Sequence, residues 1–359
     1  MKRVMKLILP YMILALLICG CTQGSGAKEK GSGIKVVTTI FPEYDWVREI
    51  VGKDAENIDL AMLLDNGVDL HSYQPTVDDI LKISKCDLFI YVGGESDEWV
   101  EDALQEAVNK DMIVINLLET LGEGVKEEET VEGMEHEDEH DHDDEHEEGH
   151  DHDDEHEEGH DHDDHDHENE EGHEHHHTGE IEYDEHVWLS LKNASIICDA
   201  ITEALTKLDP DKKDVFKTNL DAYKAKLEGL DGKYREAVDA APIKTILFGD
   251  RFPFRYLTDD YGLSYYAAFA GCSAETEASF ETVIFLSGKV DELGLPAVFT
   301  IEGSDHKLAE MIRENTTAKD QKILTLDSIQ SVTSKDVEAG KSYISIMESN
   351  LDVLKEALF

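Results

Sequence analysis

Positive charge is scarce in this sequence. Its 359 residues carry 82 Asp and Glu against 32 Lys and Arg, which gives a formal net charge of −50. Between Glu127 and Glu180 there are 29 acids and no Lys or Arg. Nucleic acid and anionic membrane surfaces repel such a chain, so neither is expected as a partner. The charge favours a cation as the ligand.

Histidine is nearly absent outside one short run. Fifteen of the 18 histidines lie between His136 and His177, and the other three are His71, His186 and His306. These three lie in well-separated segments with globular patterns. We interpret them as ligands that converge on a single transition-metal ion.

Cysteine is also rare. Of the five cysteines, Cys86, Cys198 and Cys272 lie beyond the N-terminal segment, and none has a CxxC-type partner. An odd number of this kind does not indicate a disulfide framework. We expect each thiol to fill a small buried position rather than to bind metal.

The N-terminus has the pattern of an export signal. Residues 1–20 combine a basic start with an apolar run of residues 7–18, which is short for a membrane span. The following Cys21 resembles the lipidated cysteine of bacterial lipoproteins, and simple cleavage with secretion is the alternative. We therefore predict a signal peptide, a lipid anchor at Cys21 and an extracytoplasmic location on the cell membrane. Residues 21–33 are rich in Gly, Ser and Lys and predict a flexible tether.

Apolar and β-branched runs alternate with helical patterns along the rest of the chain, which predicts βαβ units and mostly parallel sheets. The predicted strands cover residues 34–40, 58–64, 88–92, 112–115, 244–248, 264–269, 297–301 and 323–326. Few breaks interrupt residues 211–240, so we expect one long helix there. The predicted fold is α/β with two lobes: an N-terminal lobe (34–192), a helical region with the linking helix (193–240) and a C-terminal lobe (241–359).

Ligands of parallel sheets collect at the carboxyl ends of the strands. His71 follows the second predicted strand, and both Glu302 and His306 follow the strand at 297–301. The loops that carry His71 and His306 thus lie at corresponding edges of the two lobes, where a shared metal site is expected.

Residues 127–180 have no core-forming pattern and repeat the ten-residue sequence HDHDDEHEEG, which predicts a disordered segment. Interleaved imidazoles suit Zn, Ni or Cu, so we expect weak, exchangeable metal binding beside His186. A solvated acidic spacer is the alternative. The proposed auxiliary ligands are His136, His140, His142, His146, His150, His152, His156, His160, His162, His165, His167, His173, His175, His176 and His177.

Four motifs together resemble the metal-binding solute receptors of ABC importers, a family that includes ZnuA-like zinc receptors and manganese receptors. They are Val68–Thr76 (VDLHSYQPT), Glu185–Ser190 (EHVWLS), Tyr261–Leu263 (YGL) and Phe299–Glu302 (FTIE). The resemblance covers most of the chain beyond the leader. It implies two lobes joined by a long rigid helix, with metal bound in the cleft between them. It also implies a monomer that delivers its metal to a membrane permease driven by an ATPase.

The same resemblance implies a ligand set. His71 and His186 match the first two ligand positions, and His306 best matches the fourth. The third position, about ten residues before the Tyr-Gly-Leu motif, is usually His or Glu in the family, but here it is Arg251. An arginine stays protonated and cannot bind a metal.

The third ligand is therefore open. The neighbouring Asp250 is our candidate, and a water molecule, Glu275 or Glu277 are the alternatives. Three imidazoles with a carboxylate or water suit four-coordinate Zn²⁺, whereas Mn²⁺ prefers more oxygen ligands. We expect zinc, with manganese as the alternative.

Other functional classes differ in partner or chemistry. A metal-sequestering or adhesin lipoprotein would have the same site but no transporter. A zinc hydrolase would also use three histidines and water, but neither an HExxH helix nor a GxSxG elbow accompanies His71, His186 and His306. We therefore expect a metal receptor and not an enzyme.

Overall fold

Two four-stranded sheets organise the part of the chain that the computed structural model describes, residues 33–135, 182–273 and 278–359. Every strand pairing recorded in the two sheets is parallel. The predicted signal peptide, tether and lipidation site Cys21 lie outside the described residues. So do the histidines from His136 to His177, and Glu275 and Glu277.

The first sheet has the strand order β2-β1-β3-β4, so β1 and β3 are the inner strands and β2 and β4 are the edge strands. Its strands are β1 (Ile34–Thr38), β2 (Ile58–Met62), β3 (Leu88–Tyr91) and β4 (Ile113–Asn116). The helices between and after them are α1 (Phe41–Val51), α2 (Val77–Lys85), α3 (Trp99–Gln105) and α4 (Leu117–Leu121). Helix α2 begins at a capping box formed by Thr76 and Asp79, as the sequence predicts.

Two long helices lie between the sheets. Helix α5 spans Leu191–Leu208, and α6 spans Lys213–Ala240 after a short turn at Pro210–Lys212. Helix α6 buries seven side chains at spacings of three and four residues, from Phe216 to Val238. One face of the helix therefore packs along its whole length, which explains why 28 residues form a single helix.

The second sheet repeats the first arrangement with the order β6-β5-β7-β8. Its strands are β5 (Thr245–Phe252), β6 (Ser264–Ala270), β7 (Ala297–Ile301) and β8 (Lys322–Leu326). Its helices are α7 (Arg255–Tyr261), α8 (Phe280–Leu293), α9 (Lys307–Asn315), α10 (Ser334–Glu338) and α11 (Tyr343–Leu358). The predicted α/β architecture of two parallel-sheet lobes and a long helix between them is confirmed. None of the helices in the described ranges is both long and apolar enough to span a membrane.

Strand β5 is longer than predicted. The sequence suggested an end at Phe248, but the strand continues to Phe252, and its pairing with β6 shifts register between Phe248 and Arg251. Gly249 permits this continuation, because a Cβ there would lie 2.7 Å from the Ala309 backbone of α9. Asp250 and Arg251 therefore lie in a strand and not in a loop.

The first nine residues of the predicted disordered segment form what we call the acidic strap, residues 127–135. Glu127 pairs with Tyr183 in an antiparallel bridge, and the Glu135 amide donates to the carbonyl of Ala268 on β6 (2.9 Å). Met134 is buried although it is surrounded by acids in the sequence. These nine residues do not fit the prediction of a disordered segment, because backbone pairing and one buried apolar side chain fix them against the second lobe.

A buried tyrosine ties α11 to distant parts of the chain. The Tyr343 amide donates to Asp45 Oδ2 of α1 (2.9 Å), and its hydroxyl donates to the carbonyl of Trp188 (2.6 Å). The indole Nε1 of Trp188 donates in turn to the carbonyl of Ser328 after β8 (2.9 Å). These bonds hold the segment that contains His186 between the two lobes.

Tyr343→Phe tests this connection. We expect the free energy of unfolding to fall by about 1–3 kcal/mol, because the buried carbonyl of Trp188 loses its donor while the ring is kept. Urea unfolding of chelator-treated protein measures the change. In the matched control, Tyr183→Phe, the ring is largely exposed, and the expected change is below about 0.5 kcal/mol. Equal stability of Tyr343→Phe and the unaltered chain would contradict the assigned role.

Candidate metal centre

His71 lies in a single helical turn after β2. Asp69 caps this turn by accepting the His71 amide (3.0 Å), which sets the direction of the histidine backbone. The ring Nδ1 lies 2.8 Å from Ser96 Oγ and 3.5 Å from Glu185 Oε2. Ser96 belongs to the turn after β3, so loops that follow two different strands of the first sheet orient the ring.

His186 is completely buried just before α5. Asp184 Oδ1 accepts the His186 amide (2.9 Å) and lies 3.0 Å from the ring Nδ1. A carboxylate can only accept here, so Nδ1 carries the proton and Nε2 is left to face the site. A carboxylate behind a histidine in this manner is the usual support of a metal ligand.

The two rings form what we call the histidine pair. His71 Nε2 lies 3.2 Å from His186 Nε2, and the ring centroids are 5.1 Å apart. Two nitrogens bound to one tetrahedral zinc are about 3.3 Å apart, as follows from Zn–N bonds of about 2.0–2.1 Å. The nitrogens of the histidine pair therefore already have the separation that a shared ion requires.

The turn after β6 brings a thiol to this pair. The Sγ atom of Cys272 and one ring nitrogen each of His71 and His186 all lie within 4.8 Å of one another. Gly271 permits the approach, because a Cβ there would lie 3.1 Å from His186 Cε1 and 2.9 Å from the carbonyl of Phe252. We expected Cys272 only to fill space, but its surroundings are those of a metal-binding group. Cys86 and Cys198 are fully buried.

Arg251 lies beside the site without being able to bind a metal. Its Nη2 atom is 2.8 Å from Asp69 Oδ2, and its Nη1 atom donates to the carbonyl of Ser273 (3.4 Å). The guanidinium thus connects the turn of His71 in the first lobe with the turn of Cys272 in the second.

Burial and neighbouring charges lower the pKa of His71 but raise those of His186 and Cys272. Burial, followed by the charge of His186, lowers the pKa of His71 to about 3. Burial also disfavours charge on His186, but the hydrogen bond and the charge of Asp184 outweigh it and raise its pKa. Burial and then the charge of Glu128 raise the pKa of the Cys272 thiol far above its ordinary value. The lowered pKa favours the neutral form of His71, which is the form that binds metal.

The other predicted ligands lie outside this cluster. Asp250 Oδ1 accepts the amide of Arg251 (2.9 Å), and its Oδ2 lies 3.4 Å from the amide of Ile301. His306 precedes α9, and its Nδ1 lies 3.0 Å from Thr300 Oγ1. In the described ranges, the set of three donors within 4.8 Å consists of His71, His186 and Cys272. Metal binding by Asp250 or His306 stays a prediction.

Glu302, like His306, follows β7, but its carboxylate contacts the turn after β8. Its carboxylate accepts both the amide (2.6 Å) and the hydroxyl (2.7 Å) of Ser328. Burial, followed by the charge of Asp327, raises the pKa of Glu302 to about 7. Since the carbonyl of Ser328 accepts the Trp188 indole, Glu302 helps to position the segment that contains His186.

The sequence analysis gave no role to Ser96, Glu128 or Asp184, and it expected Cys272 to fill a small buried position. For Asp184 the signal was its place two residues before His186, from which its carboxylate can reach both the amide and the ring. For Cys272 the signal was the preceding Gly271, since glycine allows close approach at the end of a strand.

Comparisons with known proteins agree on one family. The sequence model described as "Zinc-uptake complex component A periplasmic" matches residues 36–357. The zinc-binding lipoprotein AdcA of Streptococcus pneumoniae is 31% identical over 358 residues, which are 99% of this chain and 61% of AdcA. The chain thus spans about three fifths of that relative. The high-affinity zinc uptake system protein ZnuA of Bacillus subtilis is 31% identical over 347 residues, covering 96% of this chain and 94% of ZnuA.

A solved structure supports the same assignment. The Zn(II)-bound ZnuA-like domain of Streptococcus pneumoniae AdcA superimposes with a TM-score of 0.64 at 25% identity, covering 91% of this chain and 99% of that domain. The resemblance seen in the four sequence motifs is confirmed, and the chain belongs to the zinc-uptake complex component A family.

Proposed function

We propose that this protein is an extracytoplasmic Zn²⁺ receptor that delivers the ion to the permease of an ABC importer. The 3.2 Å separation of the Nε2 atoms of His71 and His186 carries the proposal. The names of AdcA and ZnuA, which describe zinc binding and zinc uptake, support the choice of metal.

The donor atoms also favour zinc. Two imidazoles and a thiol are nitrogen and sulfur donors, which suit Zn²⁺ better than the oxygen-preferring Mn²⁺. Manganese remains the alternative metal. Binding requires no reaction of the protein beyond proton loss from the donors, so the proposed role is not enzymatic. The zinc-hydrolase alternative would need zinc-dependent hydrolytic turnover.

Cellular placement follows from the leader and the family. We propose that lipidation at Cys21 anchors the chain at the outer face of the cell membrane, where it acts as a monomer beside the permease and its ATPase. The histidines from His136 to His177 would supply the pair with weakly bound zinc. A receptor that sequesters metal or adheres to surfaces is the alternative, and the discovery of permease and ATPase genes beside this one would favour the importer.

His186→Ala tests the central ligand. We expect the tight Zn²⁺ affinity to fall by more than about 100-fold, since groups that only orient a metal ligand are already worth about 10–100-fold. Competition with a chromophoric zinc chelator measures it. His160→Ala, within the histidine run, is the control and should leave the tight site unchanged. Equal losses in the two variants would place the tight site in the run instead.

Asp184→Asn tests how His186 is oriented. The amide keeps the oxygen that accepts the His186 amide but removes the charge behind Nδ1. Zinc affinity should fall by about 10–100-fold, with an unchanged circular dichroism spectrum. The control is Asp305→Asn. Asp305 is exposed and lies beside the predicted ligand His306, so this variant also removes one charge next to a histidine. Unchanged affinity in Asp184→Asn would mean that His186 does not need its carboxylate.

Replacing residues 136–181 by a Gly/Ser linker tests the auxiliary role. The acidic strap stays intact, because its backbone pairs with Glu182 and Tyr183. A linker of about a dozen residues can span up to about 40 Å. Calorimetry should show one tight site retained and several weaker sites lost. Loss of the tight site, with the fold intact, would contradict the proposed division of roles.

A further inference from the structure

We propose that Cys272 is a direct ligand of the zinc ion that the histidine pair binds, which makes the protein site His₂Cys. The inference rests on the proposed function and names the third ligand of that site. It replaces the carboxylate of Asp250, which the sequence favoured, by a sulfur atom from the end of β6.

The distances allow this coordination with a small adjustment. On a tetrahedral zinc a sulfur and a nitrogen are about 3.5 Å apart, from bonds of about 2.3 Å and 2.0–2.1 Å. The three donor atoms lie within 4.8 Å of one another. A movement of the thiol by about one ångström, within reach of a side-chain rotation, completes the geometry.

Two independent contacts hold the thiol segment against the pair. Glu128 Oε1 of the acidic strap accepts the amide of Cys272 (3.1 Å). Gly271 lies so close to the His186 ring that a Cβ could not be accommodated without movement. The thiol is thus positioned by the strap on one side and by close backbone contact on the other.

Arg251 holds the segment that carries Cys272. It lies in β5 beside the site, but a guanidinium cannot bind zinc. Instead, Arg251 donates to the carbonyl of Ser273, directly after Cys272, and pairs with Asp69. Arg251 therefore fixes the segment that supplies the third ligand.

The chemistry of binding is a simple exchange. The free thiol carries a proton, and zinc binding forms the Zn–S bond while that proton leaves to solvent. No oxidant or reductant takes part. Sulfur also shifts the preference of the site further from Mn²⁺ towards Zn²⁺.

Co²⁺ provides the probe, because thiolate bound to Co²⁺ gives a near-ultraviolet charge-transfer band that imidazole and carboxylate ligands do not give. We expect the full chain with one equivalent of Co²⁺ to show this band. Cys272→Ser should lose it and should bind Zn²⁺ more than about 100-fold more weakly, since an orienting group alone is worth about 10–100-fold. Cys86→Ala, which removes a buried thiol of the first lobe, should keep both the band and the affinity.

Two further measurements keep the test valid if Cys272→Ser folds poorly. Cys272→His should retain tight zinc binding but lose the band. In the unaltered chain, zinc K-edge X-ray absorption with one equivalent of Zn²⁺ should show one sulfur neighbour at about 2.3 Å.

The outcomes separate this inference from the proposed function. Tight zinc binding that is equal in the unaltered chain and in Cys272→Ser, without a charge-transfer band in either, would overturn the cysteine ligand and leave the receptor intact. Absence of tight zinc binding from the unaltered chain would overturn the receptor itself.

Discussion

The close approach of two buried imidazoles is the constraint around which this structure is built. At 3.2 Å the facing Nε2 atoms of His71 and His186 cannot both present lone pairs without repulsion, unless a proton or a metal ion lies between them. Both Nδ1 atoms are engaged, by Ser96 and by Asp184, so neither ring can turn away at low cost. Donor nitrogens held at the separation that a shared dication requires lower the cost of ordering the ligands.

The fold maintains this approach through contacts that do not involve the ligands. His186 is followed by Trp188, whose indole is held from the second lobe and whose carbonyl is held by Tyr343 of the last helix. Helix α11 also contacts α1 through Asp45. The segment before α5 is therefore fixed by both lobes, while His71 comes from the first lobe and Cys272 from the second. The geometry of a site shared in this way depends on the relative positions of the His71 turn, the segment before α5 and the Cys272 turn.

Much of the fold could be predicted from the sequence, because parallel strands buried on both faces produce apolar runs that local composition reveals. His71 and His186 could be predicted for a similar reason, since each lies in a distinctive motif next to a strand end or a helix start. The place of Cys272 could not be predicted in this way. It depends on the extension of β5 through Gly249, on the register shift against β6 and on the contact at Gly271, and none of these leaves a periodic pattern. The burial of Met134 could not be predicted either, because a single apolar residue among acids forms no periodic pattern.

Retention and release of a transported ion place opposite demands on such a site. The ion pair between Asp69 and Arg251 crosses from one lobe to the other, but it is about one-fifth exposed and contributes at most about 1 kcal/mol. The buried contacts of Tyr343 and Trp188 also join the lobes. In the proposed site, the ion would add bonds between the short turns that carry His71 and Cys272. A partner that separates these two turns would release the ion without unfolding either sheet.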